Sequence, residues 1–520
     1  MQTAHAAKSH GENQLDVSLP AMFSLFPFIT EMTAEPVALT PALAAPTVRL
    51  PGGGKRRIQA LRIFNPFRPG IARRLTAAAL AMAFMLGPPL QSAYAQEGLN
   101  FIRDTETERM LRSYLDPILR VAGLSPASVH LYIVNDPSIN AFVAEGQNVF
   151  VFTGLIMQLD TPNEVTGVLA HETGHMAHGD LVHSSQAMRA ATIPMLIGMA
   201  AGIAAMALGA GDAGQALIMG SQQIGEREYL RYSRSIESNA DQAGVRFLTA
   251  THQSGDGMLR VFKRFENEEM MTSQHIDKFA YNHPVSQDRI NLLQRLVETS
   301  PYRDEKDPAV AQHQYDMVRA KLRGYIQQTD TVYREYPPSD TSKAARYARA
   351  IAYFREPDMK SALKEINALI ADEPNNPYFQ EVLGQIMVEM ARPAEGIAPY
   401  RKSVQLAPDA PLLRIALASA MLATEDPAQV APAAKELEIA LRQEPDNDFG
   451  WYEAAEAYGR LNQPGKADLA TAERYYAVGN YRPAMQFAFR AQKGLSQSTV
   501  EWQRANDILA TAQAQANDNR

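Results

Sequence analysis

Cysteine is absent from the 520 residues of this chain. This absence excludes a disulfide framework and a thiolate zinc site, so any metal must be bound by histidine and carboxylate side chains. Concentrated positive charge is also lacking, because the net charge is -7 and no basic cluster follows residue 75. A phosphate-binding protein needs such a cluster, which argues against nucleic acid as a partner. The length allows about two or three domains.

The first hundred residues resemble a leader rather than a folded domain. Residues 1–54 are rich in alanine, proline, threonine and glycine without a sustained period, which predicts a disordered or untranslated leader. Residues 55–95 combine basic residues, the apolar run Leu75 to Leu90 and the small-residue site Ala93 to Ala95, as in a secretory signal peptide. The mature chain would then begin near Gln96. The alternative is an uncleaved membrane anchor.

Residues 96–300 carry mixed helical and strand patterns. Apolar residues recur at helical spacing over 106–121, and strand-like runs cover 129–134, 139–144 and 147–153. The last two runs predict a hairpin, and the final one is either a sheet edge that pairs with an extended substrate or a core strand. A further helix is predicted over 164–176.

That helix contains the motif His171-Glu172-Thr173-Gly174-His175. On a helix, two imidazoles four residues apart project from one face toward a single ion. Zinc lowers the pKa of its bound water to roughly 7, and an adjacent carboxylate can accept the proton and pass it to the leaving amine. The motif therefore predicts a zinc peptidase with Glu172 as general base.

The third ligand must come from another segment. A metzincin would have glycine and histidine where this chain has His178 and Leu181. Glu237 and Asp241 lie four residues apart in a predicted helix over 226–250 and share one of its faces. The first can bind zinc while the second holds a ligand histidine through its other ring nitrogen.

Residues 190–210 carry no charge, and roughly 20 residues suffice to span a bilayer. One crossing would separate the proposed ligands on opposite sides of the membrane, and the next apolar stretch, 213–220, is too short for a return. A hydrophobic helical hairpin over 190–225 is therefore expected. It is either a buried core pair or a re-entrant lid that contacts the membrane surface, and a true span is the third reading.

The last third of the chain is a predicted array of helical repeats. Its period matches the tetratricopeptide template of about 34 residues, and such arrays bind polypeptide. Three of the predicted helical pairs end at a proline, namely Pro374, Pro408 and Pro445. The predicted organisation is a helical linker over 301–340, about four repeats over 341–495, and a C-terminal helix with a polar tail over 496–520.

Several motifs together resemble the HtpX/BepA-like gluzincin peptidases. These motifs are Asn140-Ala141-Phe142, Gly154-Leu155, Val168 to His175, Glu237 to Asp241, His283-Pro284 and Arg289. The repeats make the chain similar to the BepA-like periplasmic proteases that tend outer-membrane protein assembly. The resemblance implies a mainly α chain, with a zincin-like α+β metallopeptidase domain followed by an all-α tetratricopeptide-repeat superhelix. It also implies a periplasmic location.

The same resemblance assigns roles to individual residues. One zinc ion per chain would be bound by His171, His175 and Glu237, with Glu172 as general base and with Asp241 and Arg289 as supporting residues. His283 would either stabilise the tetrahedral intermediate or cap the resting zinc as a latency switch. Relatives often have a histidine where this chain has Gly179 or Asp180, and His178 is assigned no role.

Two functions fit these patterns. The first is an endopeptidase that cleaves unfolded or misassembled polypeptides, with the repeats docking substrates or the outer-membrane assembly machinery. The second is a chaperone or assembly scaffold that acts through its repeats while its zinc site is latent. A repeat-only adaptor with a decayed protease domain is disfavoured because all the residues needed for the site are present.

Overall fold

The computed structural model describes residues 100–144, 147–179, 199–201, 215, 219, 234–271 and 283–518. The predicted leader and signal peptide, most of the predicted hairpin 190–225 and the predicted helix start at 226 lie outside these residues. The chain divides into two compact units, of which the first ends at Glu365 and the second begins at Ile366.

The first unit contains a four-stranded sheet. Its strands are β1 Phe101–Ile102, β2 His130–Val134, β3 Ala141–Ala144 and β4 Asn148–Phe152. They lie in the order β1-β2-β4-β3, with β2 and β4 parallel and the outer pairs antiparallel. The predicted hairpin is therefore present as β3 and β4. Because β4 lies inside the sheet, its alternative as a sheet edge is excluded, and among the described residues β3 forms that edge.

Alternation along β4 fixes which face of the sheet is buried. Val149 and Val151 are fully buried, whereas Phe150 between them is half-buried on the opposite face. There its ring stacks on Tyr132 of β2, with ring centroids 5.1 Å apart, and on Phe142 of β3 at 4.7 Å. These cross-strand pairs hold the register, since a slip by one residue would exchange the two faces.

Six helices whose bounds lie in the described residues of the first unit precede residue 300. They are α1 Thr105–Val121, α2 Thr153–Gln158, α3 Pro162–His178, α4 over 234–250, α5 Asp256–Met271 and α6 Gln287–Thr299. Helix α3 begins with a capping box, in which Thr161 accepts the backbone N–H of Glu164 and the Glu164 side chain accepts that of Thr161. It ends at Gly179, whose φ of 67° is left-handed.

Helices after residue 300 also belong to the first unit. They are α7 Ala309–Ile326, α8 Thr329–Glu335 and α9 Lys343–Arg355. The buried Tyr315 hydroxyl of α7 lies 2.7 Å from the carbonyl oxygen of Ile156 and 2.9 Å from that of Leu159. The segment predicted as a linker therefore contacts α2 and the residue that follows it.

The second unit consists of successive helices within its described part. Helix α10 Met359–Asp372 crosses the division at Ile366, and α11 Pro377–Glu389, α12 Pro393–Leu406, α13 Pro411–Leu422, α14 Pro427–Gln443, α15 Asp448–Arg460, α16 Pro464–Ala477, α17 Tyr481–Gly494 and α18 Val500–Asp518 follow. Sequential neighbours from α11 to α18 pack against each other.

Gly384 shows why small residues are needed where these helices pair. A Cβ atom at Gly384 would lie 2.6 Å from the ring of Tyr400 on α12. The fold is mainly α with a small sheet and a helical repeat region, as predicted. No helix in the described part of the chain is both long and apolar enough to cross a membrane.

Candidate metal centre

Helix α3 places the two motif histidines side by side. The Nε2 atoms of His171 and His175 are 3.1 Å apart, and the rings meet edge-on with centroids 4.7 Å apart. Both side chains are buried. Four residues correspond to about one helical turn, so the two imidazoles share one face of α3.

Helix α4 adds the carboxylate of Glu237 to this pair. Its Oε2 atom lies 3.4 Å from Nε2 of His171, and its Oε1 atom lies 3.6 Å from Nε2 of His175. Helix α4 approaches α3 closely at Gly174, where an added Cβ atom would lie 2.8 Å from the carbonyl oxygen of Ala240. The glycine of the motif thus allows the helix that carries Glu237 to reach the histidines.

His283, in the segment before α6, contributes a fourth donor atom. Its Nδ1 atom lies 3.3 Å from Nε2 of His171 and 3.1 Å from Oε1 of Glu237. One ligand atom from each of His171, His175, Glu237 and His283 falls within a group whose members are all within 4.8 Å of one another. All four side chains are buried.

These separations fit a zinc ion. Tetrahedral zinc lies about 2.0–2.1 Å from nitrogen and oxygen ligands, which requires ligand atoms roughly 3.3–3.4 Å apart. The contacts around His171 and Glu237 range from 3.1 to 3.6 Å. Three imidazoles and one carboxylate also form a donor set that zinc accepts. The residues present therefore fit the metal that the motif predicts.

Glu172 lies beside this group without belonging to it. It is 1% exposed, and its Oε1 atom lies 3.3 Å from Nε2 of His283. Within the described part of the chain, neither carboxylate oxygen of Glu172 has a hydrogen-bond partner with good geometry. Buried carboxylates normally have such partners, so these oxygens are available to a water molecule or a substrate.

Asp241 contacts His171 on the side opposite the donor group, which is the set of four possible metal ligands His171, His175, Glu237 and His283. Its Oδ1 atom lies 3.0 Å from Nδ1 of His171, and both side chains are fully buried. The contact leaves Nε2 of His171 to face His175 and Glu237. Burial alone would raise the pKa of Asp241, but hydrogen bonds from Arg289 and His171 outweigh burial and lower it. Asp241 therefore stays ionised as a hydrogen-bond acceptor for the imidazole.

Opposing effects also set the ionisation of the donor group. Burial favours the neutral form of Glu237, yet hydrogen bonds with His171 and His283 hold its pKa well below the ordinary value. Burial likewise favours neutral His171, but its contacts with Asp241 and Glu237 raise its pKa to about 10. In the metal-free protein this imidazole therefore carries a proton that a bound cation would displace.

Arg289 lies in the first turn of α6, where the Ser286 hydroxyl accepts its backbone N–H. Its guanidinium bonds Asp241 through two nitrogens, at 2.8 and 2.9 Å, and lies 3.1 Å from Oε2 of Glu237. The side chain is 4% exposed. All seven residues predicted for the site thus lie in one buried cluster.

Phe262 of α5 is a site neighbour that the sequence did not reveal. Its ring meets His171 edge-on with centroids 5.6 Å apart, and the Arg289 guanidinium lies 5.0 Å from its centroid. The only signal in the sequence was an apolar position on an amphipathic helix, which also describes an ordinary core residue. His178 contacts the carbonyl oxygen of Gly174, at 2.9 Å, outside the cluster.

The chain is similar to known metallopeptidases over part of its length. Residues 105–297 match the model of peptidase family M48. The beta-barrel assembly-enhancing protease of Escherichia coli K12 is 24% identical over 365 residues, covering 68% of this chain and 72% of the relative. The mitochondrial metalloendopeptidase OMA1 of Schizosaccharomyces pombe is 27% identical over 224 residues, covering 41% of this chain and 63% of the relative. The crystal structure of MamA, with 18% identity and a TM-score of 0.25, covers 33% of this chain and 95% of that chain.

Proposed function

Because this chain carries a peptidase family M48 domain and is a zinc-dependent metalloendopeptidase, we propose that it cleaves unfolded or misassembled polypeptides during quality control of outer-membrane proteins. The observation that carries the proposal is the buried cluster in which His171, His175 and Glu237 lie at zinc-ligand separations with Glu172 beside them. In this proposal the first three residues bind zinc and Glu172 is the general base.

Different residues of the chain then carry out different parts of the reaction. When bound, zinc acts as a Lewis acid that makes water acidic enough to lose a proton near neutral pH. Glu172 accepts that proton on a carboxylate oxygen and later delivers it to the leaving amine. Asp241 keeps His171 in the orientation that presents Nε2 to the metal. Burial of the cluster strengthens each of these electrostatic interactions.

Two features support a polypeptide as the substrate. The edge strand β3 has a strand partner only in β4 among the described residues, so an extended peptide can pair with its outer backbone groups. The helical repeats offer a second surface for polypeptides or for the outer-membrane assembly machinery. The name of the Escherichia coli relative refers to assembly of β-barrels, which supports the same class of clients for this chain.

We place the mature protein in the periplasm in this proposal. The support is the sequence pattern of a signal peptide over 55–95 and the similarity to the assembly-enhancing proteases. Contact of the apolar segment 190–225 with a membrane surface is part of the same proposal.

Proteolysis of unfolded casein by residues 96–520 tests the activity. We expect cleavage by the parent, and loss of cleavage both in Glu172→Gln and after treatment with a chelator. Glu172→Gln should retain zinc, because Glu172 lies outside the ligand group, whereas Glu237→Ala should lose it. Retention of zinc and cleavage by both variants would show that the site assignment is wrong.

One observation favours a second function, a scaffold with a latent zinc site. His283 supplies a fourth protein donor, and zinc sites with four protein ligands are closed, whereas catalytic sites keep a position for water. In this reading the repeats do the biological work while His283 caps the metal. Glu172→Gln would then preserve function in cells, and deletion of residues 341–495 would abolish it.

The variant His283→Ala distinguishes the two proposed roles of His283. If His283 caps the metal, the variant should retain zinc on the other three ligands and cleave casein faster than the parent. If His283 instead stabilises the transition state, the variant should retain zinc and cleave more slowly. Zinc content, measured beside the cleavage rate, distinguishes either effect from loss of the metal.

A further inference from the structure

All the N–H groups of the buried Arg289 side chain have acceptors. A guanidinium has five N–H donors in a fixed plane. Nε donates to Oδ2 of Asp241, and Nη2 donates to Oδ1 of the same residue and lies 3.1 Å from Oε2 of Glu237. Nη1 donates to the carbonyl oxygens of His283, at 3.4 Å, and Pro284, at 2.7 Å. These contacts account for all five donors.

The acceptors come from two different segments of the chain. Glu237 and Asp241 belong to α4, whereas His283 and Pro284 precede α6. Nε and Nη2 of Arg289 therefore hold Glu237, a proposed zinc ligand, and Asp241, which orients His171. Nη1 holds the backbone beside the fourth donor.

We propose that Arg289 is a positioning residue that couples Glu237 to His283 and thereby sets both the zinc affinity and the position of the fourth donor. The inference rests on the proposed function, because it takes Glu237 as a zinc ligand. The guanidinium also packs over the Phe262 ring, 5.0 Å from its centroid. A displacement of the segment before α6 would consequently be transmitted to Glu237.

Lysine cannot replace arginine in this role. An ammonium group has three donors around one nitrogen and no planar fork, so it keeps the positive charge but cannot bridge both segments. Arg289→Lys therefore tests positioning separately from charge.

The chain supplies a matched control in Arg349 of α9, which is 3% exposed. Its Nε donates to Glu365, and its Nη1 donates to the carbonyl oxygens of Tyr336, Pro337 and Asp340. Arg349 thus has the same combination of a carboxylate and backbone carbonyls, in the same unit but outside the donor group. Arg349→Lys reports the general cost of this exchange at a buried site.

The experiment measures zinc dissociation constants of the parent and both variants by competition with a chromophoric chelator. Replacing residues that hold metal ligands weakens affinity by roughly 10–100-fold, and we expect a loss of this size in Arg289→Lys and no change in Arg349→Lys. The visible absorption spectrum of the cobalt-substituted protein should change only in Arg289→Lys, because only there does the ligand geometry shift. Thermal unfolding of the metal-free proteins provides the comparison of stability.

Coupling to His283 needs a double-mutant cycle. If Arg289 acts partly through His283, Arg289→Lys should weaken zinc binding less in a His283→Ala background than in the parent. Equal losses of zinc affinity in both backgrounds would show that Arg289 does not act through His283.

Two other results would overturn the inference. One is parental zinc affinity and cobalt spectrum in Arg289→Lys. The other is an equal loss of affinity in Arg349→Lys, which would indicate a general structural effect. Failure of the proposed function is distinguishable, since the parent would then bind no zinc or Glu237→Ala would keep it.

Discussion

Gly174 of α3 faces Ala240 of α4 so closely that a Cβ atom on the glycine would lie 2.8 Å from the carbonyl oxygen of Ala240 and 2.9 Å from its Cα. Both neighbours are backbone atoms, which cannot move aside by a change of rotamer. Asp241 follows Ala240 directly, and Glu237 lies one turn earlier. The approach of the two helices therefore sets how far the proposed ligand reaches toward the histidines.

Gly174→Ala should separate α3 from α4 at this contact. We expect a loss of about 1–3 kcal/mol in unfolding free energy, as is typical when extra atoms are forced into a packed interface, together with weaker zinc binding. Chemical unfolding and zinc competition measure the two effects.

Gly459→Ala is the control for the exchange itself, because a Cβ at Gly459 of α15 would meet nothing within 4 Å. Alanine is favoured over glycine in a helix by roughly 0.5–1 kcal/mol, so this variant should be as stable as the parent or more so. Unchanged stability and zinc affinity in Gly174→Ala would contradict the role of the close approach.

Local sequence patterns were sufficient to predict much of the cluster. The spacing of His171 and His175 on one helix, and of Glu237 and Asp241 on another, is a property of helix geometry that needs no tertiary information. The hairpin of β3 and β4 was equally local. Alternating residues and a turn define such a unit within a short stretch of chain.

The remaining features depend on segments distant in sequence. The five contacts of Arg289 require α4 and the residues before α6 to meet, and neither segment alone indicates that meeting. The packing of α7 within the first unit likewise depends on residues distant in sequence. Lysine is rarely buried, so nothing in the sequence marked Lys321 as a residue with no solvent exposure.

Lys321 joins α7 to the start of α1. Its Nζ lies 2.6 Å from Oδ1 of Asp104 and 3.4 Å from Oε2 of Glu106, and all three side chains are buried. Lys321→Met would leave two buried carboxylates without their cation. We expect a cost of about 3–5 kcal/mol, as for other broken buried ion pairs.

Unfolding followed by circular dichroism measures this cost, and Lys360→Met serves as the control. Lys360 is exposed, so its replacement should change stability by no more than about 0.5 kcal/mol. A similarly small effect of Lys321→Met would mean that the carboxylates of Asp104 and Glu106 are solvated or find another partner in the variant.

Asp241→Asn should weaken zinc binding while leaving the proposed ligands in place. The amide keeps an oxygen near Nδ1 of His171 but loses the negative charge that holds both this ring and Arg289. We expect roughly 10–100-fold weaker affinity in the chelator competition. Asp304→Asn, at an exposed residue, should bind zinc like the parent. Parental affinity in Asp241→Asn would show that hydrogen bonding alone orients His171.

Glu453 makes the stability of the second unit depend on pH. The residue is 3% exposed in α15, and burial, aided by the charge of Glu456, raises its pKa from 4.5 to about 7. The folded chain therefore holds a proton that the unfolded chain releases above pH 4.5. Stability should fall as the pH rises from about 4.5 to about 7 and then level off, with a total loss of at most about 3 kcal/mol.

Both tryptophans of the chain, Trp451 and Trp502, lie in the second unit, so their fluorescence during urea unfolding reports this effect. Between pH 5 and 8 the parent should lose stability, whereas Glu453→Gln should lose little, because a neutral amide does not titrate. Glu425→Gln, at an exposed residue, should follow the parent. The attribution to Glu453 fails if Glu453→Gln loses as much stability as the parent over this range. A retained loss would assign the pH dependence to other groups in the repeats.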